Sequence, residues 1–408
     1  MAVSFAKRME VVKASEIREI LKITQRPGVI SFAGGLPAPE LFPVKELQEA
    51  SRLVLEEQGT TALQYSTTEG HPPLRTKIAE RMNRKWGTRL TASEILVTVG
   101  SQQGLDLVAK LFLDEGDVVV CESPTYLGAI SAFNVFRPRW VEVPTDGDGM
   151  DMEALERVLR TTDRVKLVYV VPNFQNPTGR TWSLERRKRL AELATRFDVP
   201  VLEDNPYGEL RFEGEDLPAI QALEPDSLVL SVGTFSKIFC PGMRIGWVAA
   251  PRRFLDRLVI LKQGTDLHTP TFTQLQLNRY LDDYDIEANV ARIRDVYRQR
   301  RAAMTRALER EMPAGVTFSR PQGGLFLWVE LPEGMDAREL LSRCLQQEVA
   351  FVPGGAFFPN GGRENTFRLN YSNMPIERIE EGIRRLGACV REMVQAPVPA
   401  REAALALP

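Results

Sequence analysis

Histidine is nearly missing from this sequence: His71 and His268 are the only two in 408 residues. Two are too few for a histidine-rich metal site, and no metal is expected. A serine–histidine pair is not excluded by that count, but neither histidine stands in a context that suggests one. Each reads as a turn or packing residue. Cysteine is sparse too. Cys121, Cys240, Cys344 and Cys389 lie far apart, with no C-x-x-C pair, the pattern of reduced thiols in a cytoplasmic protein. There is no basic excess, since 52 Lys+Arg against 54 Asp+Glu leave a net charge of -2. Neither a nucleic-acid surface nor a membrane surface is therefore indicated. No apolar run is long enough to span a bilayer, and the N-terminal "MAVSFAKRMEVVKASEIREI" lacks the apolar core of a signal peptide.

What is present is an alternation of textures. Apolar strand-like runs recur at 94–100, 117–123, 165–172, 199–204, 227–233 and 244–251. Helical patterns separate them, such as 183–198 with Ser183 as N-cap. That alternation predicts an α/β domain around a largely parallel sheet. After about residue 280 the pattern changes. Ile286, Val290, Ile293, Tyr297, Met304 and Leu308 form one stripe of a long helix over 284–312. Short strands at 324–332, 349–358 and 366–372 follow, the mark of a smaller α+β domain. The division expected is an N-terminal arm and helix over 1–45, a large domain over 46–280, a small domain over 281–395 and a disordered Ala/Pro-rich tail over 396–408.

Ligands of open α/β sheets gather at the carboxyl ends of the strands. Strand 94–100 ends in "GSQQG", where Gly100, Ser101 and Gln102 open a helix and offer N–H groups to an anion such as phosphate. Strand 199–204 ends at Asp204, and strand 165–172 leads to Asn176 in "NFQNPTG". On local pattern alone these are also what a capping aspartate and a turn asparagine look like. Lys237, in "TFSKIFCPGMR", decides between the readings. A lysine usually reaches for water, yet this one stands beside "IF" after an apolar strand. Held there, its amine has a depressed pKa and becomes a nucleophile suited to a carbonyl. Ser236 and Arg244 suit a nearby phosphate. An aldehyde cofactor with a phosphate, and a ring nitrogen that wants a carboxylate, is pyridoxal 5′-phosphate (PLP).

The ordered motifs "NPTG", "DNPY", "TFSK", "PGMRIGW" and "FRLNYS" resemble the class I/II aminotransferases of PLP fold type I, from about residue 15 to 390. "FAGGLPAPELFP", "LQYSTTEGHPPLR", "KQGTDLHTPTFTQ" and "VPGGAFF" look like the 2-aminoadipate and kynurenine aminotransferase subgroup. The resemblance implies a mostly parallel seven-stranded sheet between helices plus a small α+β domain. It implies ping-pong transfer of an amino group from an L-amino acid to a 2-oxo acid such as 2-oxoglutarate, with 2-aminoadipate, glutamate, leucine or aromatic donors. Lys237 would be the amine that condenses with the cofactor and then carries the Cα proton. Asp204 would pair with the ring nitrogen, and Asn176 and Tyr207 with the ring oxygen. Ser101, Gln102, Ser236, Arg244 and Thr234 would cradle the phosphate, and Tyr126 would stack on the ring. Tyr65 resembles a tyrosine that reaches the partner subunit's cofactor and lines its substrate site, which makes a homodimer with shared sites. Arg368 would grip the α-carboxylate as a planar fork, alongside Asn176, and Gly35 would let the backbone approach the substrate. Arg18 would meet a second carboxylate.

Two alternatives stand beside this reading: a β-lyase on the same fold, and the effector domain of a PLP-binding transcription regulator. Such regulators carry an N-terminal winged helix, for which a match beginning near residue 15 leaves no room, and the charge is not basic.

Overall fold

The computed structural model describes residues 4–12, Ile20, 28–223 and 228–395. Arg18, most of the helix expected over 15–25 and the tail 396–408 lie outside these. In chain order the strands are β1 (Ile30–Ser31), β2 (Ile95–Val99), β3 (Val118–Ser123), β4 (Arg139–Asp146), β5 (Gly149–Met150), β6 (Val165–Val170), β7 (Val201–Asp204), β8 (Val229–Thr234) and β9 (Ile245–Ala249). Then come β10 (Thr317–Phe318), β11 (Phe326–Glu330), β12 (Val349–Ala350), β13 (Val352–Pro353) and β14 (Thr366–Asn370).

The large sheet has the order β2-β9-β8-β7-β6-β3-β4-β5. It is seven full strands plus the two-residue edge piece β5. β8, β7, β6, β3 and β4 are parallel neighbours, and β9 runs antiparallel to both β2 and β8. β2, β3, β8 and β9 are almost wholly buried on both faces, which is why they read as mainly apolar runs. β4 differs. Next to the edge, it is mostly half-exposed or exposed, with Val143 its one buried residue, so it carries no apolar run to announce it.

The second sheet, β10-β11-β14-β13, is antiparallel throughout. The helix Ile286–Glu311 packs against the helix Ile376–Gln395, with Ile286, Val290, Ile293, Tyr297, Met304 and Leu308 all buried. The segment expected as one strand over 349–358 is instead broken. β12 pairs in parallel with β1, β13 joins the second sheet, and Gly354–Phe357 turns as a 3-10 helix. The loop over 32–38 is sewn to this part of the molecule. Phe32 N–H donates to Ala350 O (2.8 Å), Ala38 N–H to the Tyr297 hydroxyl (2.9 Å) and the Ser372 hydroxyl to Leu36 O (2.7 Å). That stitching presents Gly35 to the large sheet. Among the described residues, no helix is long and apolar enough to cross a membrane.

Candidate active site

The carboxyl ends of β2, β3, β6, β7 and β8 all open on one edge of the sheet. Because β9 runs the other way, the residue before its start, Arg244, reaches that same edge. A cavity of about 620 Å³ lies there, closed on its far side by Gly35, Leu36, Phe326 and Arg368. Ser101, Gln102, Tyr126, Asn176, Asp204, Tyr207, Thr234, Ser236, Lys237 and Arg244 line the rest. Of the residues that the resemblance assigns to cofactor or substrate, all but Tyr65 and Arg18 line this cavity.

Lys237 follows β8 in a tight turn, where Phe239 N–H donates to Phe235 O (2.9 Å). Phe235, Ile238 and Phe239 are buried, Phe235 against Trp247 (ring centroids 5.2 Å) and Phe239 against Tyr280 (4.5 Å). Asn289 Nδ2 holds Ile238 O at 2.9 Å. The apolar neighbours are thus anchors that aim the lysine one way. Its Nζ donates to Gly35 O at 2.9 Å. The residue as a whole keeps some exposure, but its amine is turned inward. Burial, reinforced by the positive charges of Arg368 and Arg244, pushes the amine down to about 8. A fraction is then an unprotonated nucleophile at neutral pH. Cys240 is buried beside the turn with its thiol pushed up to about 11 by burial. It behaves as a small apolar residue.

Asp204 ends β7 and is 2% exposed. Its Oδ2 accepts the Tyr169 hydroxyl at 2.8 Å, while its equally buried Oδ1 has no hydrogen-bond partner. Burial pushes this carboxyl up to about 7, with the Tyr169 hydrogen bond acting against it. A buried carboxylate oxygen left unsatisfied beside a cavity fits a ligand N–H.

Asn176 lies between two other groups. Its Nδ2 donates to the Tyr207 hydroxyl (3.2 Å), and its Oδ1 accepts from Arg368 Nη1 (2.8 Å). Burial pushes the Tyr207 phenol well up, so it stays neutral. Arg368, on β14, is 1% exposed. Its Nη2 donates to Ala33 O (2.6 Å), and its guanidinium stacks over Phe326 at 4.2 Å and lies near Phe357 at 5.2 Å. Its Nε has no partner, and burial pushes the group down to about 10, still a cation at neutral pH.

Near Arg244 stands the start of the helix Gly100–Phe112, whose first N–H groups have no side-chain cap and suit an anion. Thr234 Oγ1 is 2.8 Å from Ser236 Oγ and accepts Ser236 N–H at 3.1 Å. Gly100 has φ +70°, and a Cβ there would collide with Arg244 Nη2. Only glycine lets the arginine lie over the helix start. Gln102 Nε2 donates to Gly128 O (2.8 Å), and a Cβ on Gly128 would collide with the Tyr126 ring, so this glycine lets that ring fold down at the cavity edge.

Tyr65 is not in the cavity. It is 78% exposed, with its ring edge-on to His268 at 5.9 Å. Arg18 falls outside the described residues. Sequence reasoning missed Tyr169, Leu36 and Phe326. Tyr169 hides in a mainly apolar strand, "VKLVYVV", and its one signal was a hydroxyl in the buried half of that run. Leu36 and Phe326 carry no chemical signal, since their place in the site comes from packing.

These residues fit PLP: an amine of lowered pKa, an unsatisfied buried carboxylate oxygen and a helix N-terminus with an arginine share one cavity. Comparison with known proteins agrees. The family model for aminotransferase class I and II matches residues 28–386. The aromatic-amino-acid aminotransferase 1 of Thermococcus litoralis is 45% identical over 95% of this chain and 94% of that one. The 2-aminoadipate transaminase of Thermus thermophilus is 47% identical over 96% and 97%. Among solved structures, the alpha-aminoadipate aminotransferase of Thermus thermophilus, complexed with N-(5′-phosphopyridoxyl)-L-leucine, superposes with a TM-score of 0.89. It is 45% identical and covers 96% of this chain and 98% of its own. Such relatives do not favour the lyase or the regulator reading. An eight-stranded, mostly parallel sheet with Lys237 at one strand end and a family match over most of its length make this chain an aminotransferase of class I and II, a PLP-dependent family.

Proposed function

We propose that the cavity holds PLP and that the enzyme takes its amino group from a broad set of L-amino acids. The observation that carries the cofactor reading is the unpaired, buried Oδ1 of Asp204 in the cavity that Lys237 also lines. When bound, PLP supplies an aldehyde that condenses with amines and a ring that accepts the electrons left when Cα loses its proton. The chain's own residues do the rest. Lys237, partly unprotonated at neutral pH, takes and returns the proton at the substrate's Cα. Asp204 would pair with the protonated ring nitrogen, Asn176 and Tyr207 with the ring oxygen, Tyr126 would lie against the ring, and Ser101, Gln102, Thr234, Ser236 and Arg244, which line the same cavity, would hold the phosphate. Arg368, braced by Asn176 and Ala33, binds the α-carboxylate as a fork. With the carboxylate gripped at one end and Gly35 at the back of the site, Cα is oriented toward Lys237.

The substrate set includes 2-aminoadipate, glutamate, leucine and aromatic amino acids, with 2-oxoglutarate as acceptor. The names of the relatives and the leucine adduct of one of them support it. Arg18 reads the second carboxylate of acidic substrates. The exposed Tyr65 contributes to the site of a second copy in a homodimer. The division into 46–280 and 281–395, with an N-terminal arm, belongs to the same reading and suits the separate sheets. So does a cytoplasmic location, which suits four free cysteines. The test is to add PLP and then single amino acids, and to watch the cofactor absorbance bleach as pyridoxamine phosphate forms. Bleaching by acidic, aliphatic and aromatic donors is expected; no change with any of them refutes the reading. Arg18→Ala raises KM for aminoadipate and glutamate and spares leucine and phenylalanine. Equal losses for all four refute that role.

A further inference from the structure

Asp204 has one oxygen turned to the cavity and one turned away, and the second is held by a residue outside the cavity lining. β6 and β7 are parallel neighbours in which Tyr169 faces Leu202. Side chains alternate along a strand, so Asp204, two residues beyond Leu202, shares the face of Tyr169. The tyrosine is long enough to cross that diagonal, and its hydroxyl reaches Oδ2 at 2.8 Å. Tyr169 is fully buried, and Phe133 packs edge-on against its ring (5.6 Å, 84°), itself stacked on Trp140. The phenol is pushed far up by burial and by the Asp204 charge, so it remains a donor at every working pH. The other ionisable groups that act on this pair are Glu122 in β3, Tyr126 and Tyr207. None is a cation, and among the described residues none forms an ion pair with Asp204.

We propose that Tyr169 is a positioning residue of the reaction: by donating to Oδ2 it aims Oδ1 at the cofactor ring and keeps Asp204 ionised, so that the shared proton stays on the ring nitrogen. This rests on the PLP reading of the cavity. Burial favours the neutral acid, and a hydrogen bond to the charged form opposes it. Without the hydroxyl, Oδ2 is buried and unmatched, the acid form gains, and the ring nitrogen loses its proton to Asp204. The ring then accepts Cα electrons less well.

The test is Tyr169→Phe, which keeps the ring packing. Wild type and variant are loaded in parallel with PLP and with N-methyl-PLP, whose ring nitrogen carries a fixed positive charge. With PLP, kcat falls roughly 10- to 100-fold while KM changes little. With N-methyl-PLP the deficit closes to within about threefold, because the charge no longer depends on Asp204. The infrared carboxyl band of the apo-protein supplies a readout apart from activity. Its Asp204 midpoint, about 7 in the wild type, moves up in the variant. The same deficit with both cofactors, or an unmoved infrared midpoint, overturns the proposal. A wild-type protein that forms no absorbance band with PLP overturns the cofactor reading and this inference with it.

Discussion

Replacing Arg368 separates two jobs that the structure gives to one side chain. Nη1 braces Asn176 at 2.8 Å, Nη2 holds Ala33 O at 2.6 Å, and the plane lies on Phe326 at 4.2 Å. A lysine keeps the charge but cannot satisfy both acceptors and present a fork to a carboxylate. Losing one charge-assisted hydrogen bond of this kind costs about 1.5–3 kcal/mol. At about 1.4 kcal/mol per decade, kcat/KM for every α-amino acid falls roughly 10- to 150-fold. Arg368→Met also removes the charge. Truncating one partner of a buried charged contact costs about 2–5 kcal/mol, so the loss is roughly 30- to 5,000-fold. The second job is electrostatic. After burial, the Arg368 charge is the next cause that lowers the Lys237 amine to about 8. In Arg368→Met that amine moves back up towards its ordinary 10.5, whereas in Arg368→Lys it stays low. Single-turnover kinetics give the first quantity. Labelling of the apo-protein amine against pH, read on the Lys237 peptide, gives the second. Arg368→Met leaves the buried Asn176 Oδ1 and Ala33 O without this donor, so Tm falls, and the kinetics are read at a temperature where thermal unfolding shows the variant still folded. An Arg368→Met enzyme within threefold of wild type, or an unmoved Lys237 midpoint, refutes the reasoning.

Two further predictions follow from the site. Gly100→Ala drives a Cβ into Arg244 Nη2 at a residue with φ +70°. The PLP concentration for half-saturation rises roughly tenfold, while Gly242→Ala, whose Cβ meets nothing within 4 Å, leaves it unchanged. Lys237 has a lower pKa folded than unfolded, so between about 8 and 10.5 the folded apo-protein releases its proton while the unfolded chain still holds it. Stability therefore gains an increment as pH rises through that window, and Lys237→Met loses it. Urea unfolding of both proteins from pH 7 to 10 measures the difference, and identical slopes refute the assignment.

Burial on both faces turns a strand into a mainly apolar run, so β2, β3, β6, β7, β8 and β9 were all legible. β4 was not, because its mostly half-exposed residues around Pro144, with only Val143 buried, resemble loop. The reversed direction of β9 was equally hidden, since strand direction leaves no mark on composition. Yet that reversal is what brings Arg244 to the same edge as Lys237. The run over 349–358 misled because its residues are buried for two reasons, pairing with β1 and packing of a 3-10 turn.

Local chemistry was set by the chain itself: a lysine beside apolar anchors, an acid at a strand end, a glycine before a helix start. Those features are short-range, and backbone sterics and side-chain hydration determine them residue by residue. Tertiary structure decided which of them meet. Arg368 reaches Asn176 across 192 positions and Lys237 reaches Gly35 across 202. It also decided that Asp204 has one oxygen held by Tyr169 and the other free for a ligand. Burial of that pair, and of the lysine amine, exists only once two sheets and the 32–38 loop enclose them. The pKa values on which the chemistry depends are therefore properties of the fold.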